Sequence, residues 1–172
     1  MSSITRRNDI FELTAERIVL TSFRSTLAGY DLGDPSCWDD LWSTLVSEGG
    51  VDLACRISGS LHYFVRTVRA GRPQKINYFP VSCKRACTDE CLMLTLLSAC
   101  QHGLFETEDY CLHGLLDDHE SHGELRRAAT MLSCELASAG LNLLPVPLHV
   151  IRSITQKTCR DCSLAKTCTK LH

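Results

Sequence analysis

TDECLMLTLLSACQHG, residues 88–103, is the stretch whose reading decides the fold class. Thr88 is placed to cap a helix, the interior is strongly apolar through Leu92, Met93, Leu94, Leu96 and Leu97, and Gly103 closes it. Cys91 and Cys100 fall inside the run, and Cys134 sits beside Leu132 and Leu136. Small polarizable thiols in such company read as core-filling side chains.

The pattern repeats on both sides. Upstream, Ile10, Leu13, Ile18, Leu20 and Phe23 recur at three- and four-residue steps and predict a helix over 9–29. Gly29, Gly33 and Asp34-Pro35 mark a loop. Ser36 then reads as the N-cap of a second helix, with Asp39 three residues on, Trp38, Trp42 and Leu45 on one face, and Gly49-Gly50 at its end. Leu53, Ile57, Leu61, Phe64, Val65 and Val68 give a third helix, to Ala70, closed by Gly71. RPQKINYFPVSC, residues 72–83, is the one candidate extended stretch, ending in a turn at Pro80. Downstream, 106–117 and 123–139 predict two more helices, the latter closed by Gly140. LNLLPVPLHV, 141–150, is apolar but broken by Pro145 and Pro147, so it is expected to lie extended across the body. The expectation is a mainly α protein: a compact orthogonal domain of about six helices over 1–147, with an extended, cysteine-bearing tail, 148–172, packed on it.

Composition narrows the class. The chain has 172 residues, 44% of them hydrophobic, enough for one domain with a real core. Arg7, Asp9, Glu12, Glu16 and Arg17 interrupt the N-terminal apolar residues, so no secretory signal is read there. No stretch approaches about eighteen uncharged apolar residues, so no membrane span is expected. The expected compartment is the cytoplasm, where clustered cysteines hold metal or do redox work more often than they form disulfides. The odd count of eleven cysteines also argues against a fully paired framework.

The strongest chemical signal is TCRDCSLAKTCTKLH, residues 158–172. Cys159, Cys162 and Cys168 stand at C-x2-C-x5-C spacing among Arg160, Asp161, Lys166 and Lys170, a segment with little apolar surface to bury. Two thiolates on one tight turn can reach a single centre, and soft thiolates suit zinc or an iron–sulfur cluster. The ten residues CRDCSLAKTC resemble the run found in [4Fe–4S] proteins such as the endonuclease-III and MutY type of DNA glycosylases and the AddB type of nucleases. The resemblance implies a cluster but neither a fold nor an activity. The glycosylases place another cysteine seven positions before the first, where this chain has Arg152. The nucleases take theirs from far upstream. For that fourth ligand Cys83 is the first candidate and Cys87 the alternative. Their loop runs into a helix start within an acid-free segment, where backbone N–H groups, Lys84 and Arg85 favour a thiolate and an anionic cluster. The zinc alternative rests on Cys162-x5-Cys168-x3-His172, half of a zinc-finger spacing, with Cys159 completing the set.

Two further constellations stand out. Residues 53–88 carry seven basic side chains and no acid, and 89–150 carry ten acids against Arg126 and Arg127. Arg66, Arg69, Arg72 and Lys75, near Tyr63, Phe64 and Tyr78, together with Lys84 and Arg85, form a candidate patch for an anionic partner, nucleic acid or an acidic protein. HGLLDDHESHGE, 113–124, pairs His113 with Asp117 and Asp118 with His122 at helical spacing, a hard-metal or general-base arrangement if not simply a solvated acidic connection. No motif assembles a nucleophile with its base, so the sequence supplies no enzymatic reaction. It points to a small iron–sulfur protein for redox sensing, regulation or electron handling. The alternative is a zinc-stabilised interaction or nucleic-acid-binding protein without catalysis.

Overall fold

The computed structural model describes residues 14–165, with side chains described through residue 156. Among them run six α-helices: α1 Thr14–Leu32, α2 Ser36–Ala70, α3 Thr88–His102, α4 Phe105–Leu115, α5 His122–Ser138 and α6 Leu148–Ala165. A 3-10 turn, His119–Ser121, leads into α5, and the described residues contain no β-strand. The protein is mainly α, as the periodicity predicts.

The stretch 88–103 becomes the hub. Every residue of α3 from Asp89 to Ala99 is buried, which requires neighbours on all sides of the helix. α1, α4, α5 and α6 supply them, while α2 packs on α1 and α5. Phe23 of α1 and Phe64 of α2 join the core with ring centroids 5.6 Å apart. Cys91 and Cys111 are buried in it, and Cys100 packs against it half-exposed. Cys134, expected in the core, faces solvent on α5, and so does Cys55 on α2.

Several boundaries differ from the sequence reading, each for a local reason. The second and third expected helices are one element, α2, kinked where Gly50 takes φ 82° and ψ 178°. Glycine alone adopts that backbone readily, so the glycine pair bends the helix where it was expected to end it. Gly29 lies inside α1, because a Cβ there would fall 2.1 Å from the Trp38 indole nitrogen. It is a close-approach glycine, and it seats Trp38 against α1. Ser36 is the first residue of α2 and Pro35 its N-cap, while the Asp34 carboxylate accepts the Ser36 amide at 2.9 Å. Trp42 is 39% exposed and leaves that face to Leu41 and Leu45. Cys87, not Thr88, occupies the N-cap of α3.

Residues 148–150, expected to continue the extended stretch, belong to α6, while residues 141–147 lack regular secondary structure. Side chains satisfy their backbone instead. Ser98 donates to Leu144 O at 2.5 Å, Gln101 donates to Leu141 O and accepts from Leu143 N, and Glu16 accepts Leu144 N at 2.7 Å. The chain after Pro147, expected as an extended tail, is helical through Ala165. Pro147 opens it by accepting the Val150 amide at 2.9 Å. Ile151 is fully buried, Ile154 packs on the same core, and Thr155 meets Tyr110 at 2.7 Å. The prolines interrupt only the stretch before them.

Candidate metal centre

The loop carrying Cys83 and Cys87 is organised by a residue that sequence reasoning passed over. Arg24 of α1 and Glu90 of α3 are both fully buried, with Arg24 Nε donating to Glu90 Oε1 at 2.6 Å. The guanidinium also donates to Cys83 O at 2.6 Å and to Arg85 O at 2.5 Å. Glu90 further accepts the amides of Phe79 at 3.1 Å and Cys87 at 2.8 Å. One ion pair thus ties four backbone groups of a strandless loop to two helices. Such a pair persists in the interior only because its remaining donors and acceptors are satisfied. The signal in the sequence is a lone arginine, Arg24, beside Phe23 and between Leu20 and Leu27.

That arrangement corrects the reading of Cys87. The helix start and the nearby basic residues were expected to favour a thiolate. Burial instead pushes the Cys87 thiol well above its usual range, and the negative charge of Glu90 adds to it. The Cys87 S–H donates to Asn77 O at 3.0 Å. Ligation by Cys87 requires breaking that bond and ionising the thiol beside two acids, Asp89 and Glu90. Cys83 is half-buried on the turn after Pro80, whose carbonyl accepts its amide at 2.9 Å. Burial raises Cys100 to about 11 and holds Cys111 higher still. Cys159 and Cys162 fall within α6 but beyond the described side chains, and Cys168 lies outside the described residues.

The basic patch is divided. Arg69 and Lys75 both pair with Asp31, at 2.7 and 2.9 Å, and Arg72 stands 3.4 Å from Asp89. Burial raises the Asp31 pKa, but Lys75 and Arg69 outweigh it and hold the carboxyl below its usual range. Tyr78, half-buried against Asp31, is pushed up to about 12. Among the described residues, Arg66, Lys84 and Arg85 enter no ion pair and remain exposed. The acids that neutralise the rest come from α1 and α3.

A second cluster, at the α4–α5 junction, differs from the pairing expected of it. His113 lies in the last turn of α4, His119 in the 3-10 turn and His122 at the start of α5. The chain reverses between the two helices, so the histidines meet one another rather than Asp117 and Asp118. Their rings pack with centroids 4.6 to 4.9 Å apart, and one ligand nitrogen from each lies within 4.8 Å of the other two. Asp118 spends both oxygens on the turn, accepting Glu120 N at 3.0 Å and Ser121 Oγ at 2.9 Å. Burial and the neighbouring His113 and His119 lower the His122 pKa. No described helix is long and apolar enough to cross a membrane. No protein-family model, curated protein or solved structure matches the chain.

Proposed function

We propose that the chain is a small helical metalloprotein whose C-terminal cysteines hold a [4Fe–4S] cluster, serving redox sensing, regulation or electron handling. The observation that carries this reading is Cys159-x2-Cys162-x5-Cys168 within a polar, basic segment. Cys83 is the favoured fourth ligand, because the Cys87 thiol at the N-cap of α3 already hydrogen-bonds Asn77 O. Arg66, Lys84 and Arg85 are the basic groups left to meet an anionic partner, nucleic acid or an acidic protein, whose affinity then responds to cluster charge. Zinc is the second reading, favoured by the Cys162-x5-Cys168-x3-His172 spacing.

Anaerobic purification with iron, sulfide and zinc analysis tests the proposal. Bound iron and sulfide with broad absorption near ~400 nm are expected. Cys159→Ser, Cys162→Ser and Cys168→Ser each lose most of the iron while circular dichroism stays within a few per cent of the parent (roughly, since the core lies elsewhere). Colourless protein holding one zinc selects the second reading. Full metal retention in all three variants removes both.

A further inference from the structure

We propose that His113, His119 and His122 form a second metal site, for zinc, that clasps the junction of α4 and α5. It is independent of the terminal cysteines.

Three features of the ligands carry the argument. The first is convergence, because one nitrogen from each ring already lies within 4.8 Å of the others. A tetrahedral zinc with Zn–N of ~2.0–2.1 Å places its nitrogens about 3.4 Å apart, so the rings close by little more than an ångström. His113 and His119 are exposed and free to make that adjustment.

The second is the state of the ring nitrogens. His113 Nδ1 lies 2.7 Å from Asp109 O, and a carbonyl only accepts, so Nδ1 carries the proton and Nε2 offers a lone pair. The His122 Nε2 is buried with no hydrogen-bond partner among the described residues. Metal-ligating histidines usually donate their other N–H to a carbonyl or carboxylate, which fixes ring and tautomer. His113 already does so, and the unpaired buried nitrogen of His122 is costly unless something occupies it.

The third is the charge around them. His122 opens α5, at the positive end of that helix. The nearest cation, Arg126, is drawn off by Glu108 and Asp109, both at 2.5 Å. The Asp118 carboxylate orders the backbone turn that carries His119, accepting from Glu120 N and Ser121 Oγ, and leaves the exposed His119 ring free to move. Three neutral imidazoles without a thiolate suit zinc and its late first-row neighbours, not calcium or magnesium. Exposure of two ligands leaves a fourth position open to solvent.

The test uses the full chain with Cys159, Cys162 and Cys168 all changed to Ser, which removes the thiolate site. Titration with Co2+, then competition with Zn2+, is expected to give one equivalent bound with a nitrogen-ligated spectrum and no thiolate charge-transfer band. His113→Ala and His119→Ala, both exposed positions, weaken binding by roughly tenfold or more, whereas His149→Ala on α6 leaves it unchanged. Zinc raises the midpoint of thermal unfolding in the parent and not in those two variants. Titrations indistinguishable among parent, His113→Ala and His119→Ala, or no saturable binding in the parent, overturn the site. Neither result bears on iron in the native tail.

Discussion

Arg24–Glu90 and the three histidines are two clusters of polar side chains built on opposite terms. Around Arg24 the accounting closes: the guanidinium reaches a carboxylate and two carbonyls, and the carboxylate reaches two amides besides. Around His122 it stays open, with a buried Nε2 that has no hydrogen-bond partner among the described residues. A polar cluster kept for folding satisfies itself. One that leaves a lone pair unmet within reach of two more ligands is shaped for something from outside.

The largest effect expected from this contrast is at Arg24. Arg24→Met leaves Glu90 charged and buried with two amides and no cation, and unfolding in urea should show a loss of about 3–5 kcal/mol. The double change Arg24→Met with Glu90→Leu should cost clearly less than the sum of the single changes, because no uncompensated charge remains. Strict additivity would mean that the pair is not one unit. The Cys83 and Cys87 loop should also lose protection from hydrogen exchange in Arg24→Met, since its carbonyl anchors go with the guanidinium.

The same contrast shows what could be read from the chain. α3 was legible because its apolar run, its opening turn and Gly103 all lie within sixteen consecutive residues. Arg24 was not, because its partner stands 66 residues away and an arginine on an apolar face has no local signature of pairing. The histidines were noticed, but helical spacing paired them with Asp117 and Asp118. That period fails where the chain turns between α4 and α5. α6 was missed for a related reason: Pro145 and Pro147 read as breakers, although a proline just before a helix is compatible with its start. The basic patch looked continuous because its acids, Asp31 and Asp89, lie outside the acid-free segment in sequence but against it in space. The terminal cysteine spacing remains a matter of sequence, and its chemistry is open to direct assay.

A smaller effect separates His62 from both clusters. It sits between Tyr30, whose hydroxyl is 3.1 Å from Nδ1, and Trp38, at 5.1 Å between ring centroids. Burial, then the nearby positive Arg66, lowers its pKa from the ordinary 6.5. The folded protein therefore takes up this proton less readily than the unfolded chain. Stability should fall as pH drops through about 6.5 and level off once the folded imidazole itself titrates. His62→Asn should flatten the slope of stability against pH between about 7 and 5. An unchanged slope would assign the acid sensitivity to other groups.

The smallest effect is the one that decides what the histidine cluster is for. Were it a packing device like the Arg24 knot, removing a member would cost several kcal/mol whether or not metal is present. Because His113 and His119 are exposed, His113→Ala and His119→Ala in chelator-treated protein should shift stability by no more than about 0.5 kcal/mol. Zinc should then open a gap between parent and variants. At a free concentration a hundredfold above the dissociation constant, a ligand bound only by the folded state adds about 2.7 kcal/mol. That gain should appear in the parent and vanish in either variant. A large loss without metal, equal with and without zinc, would make the ring stack a structural element and erase its difference from Arg24. A loss that appears only with zinc assigns the open nitrogen to a ligand.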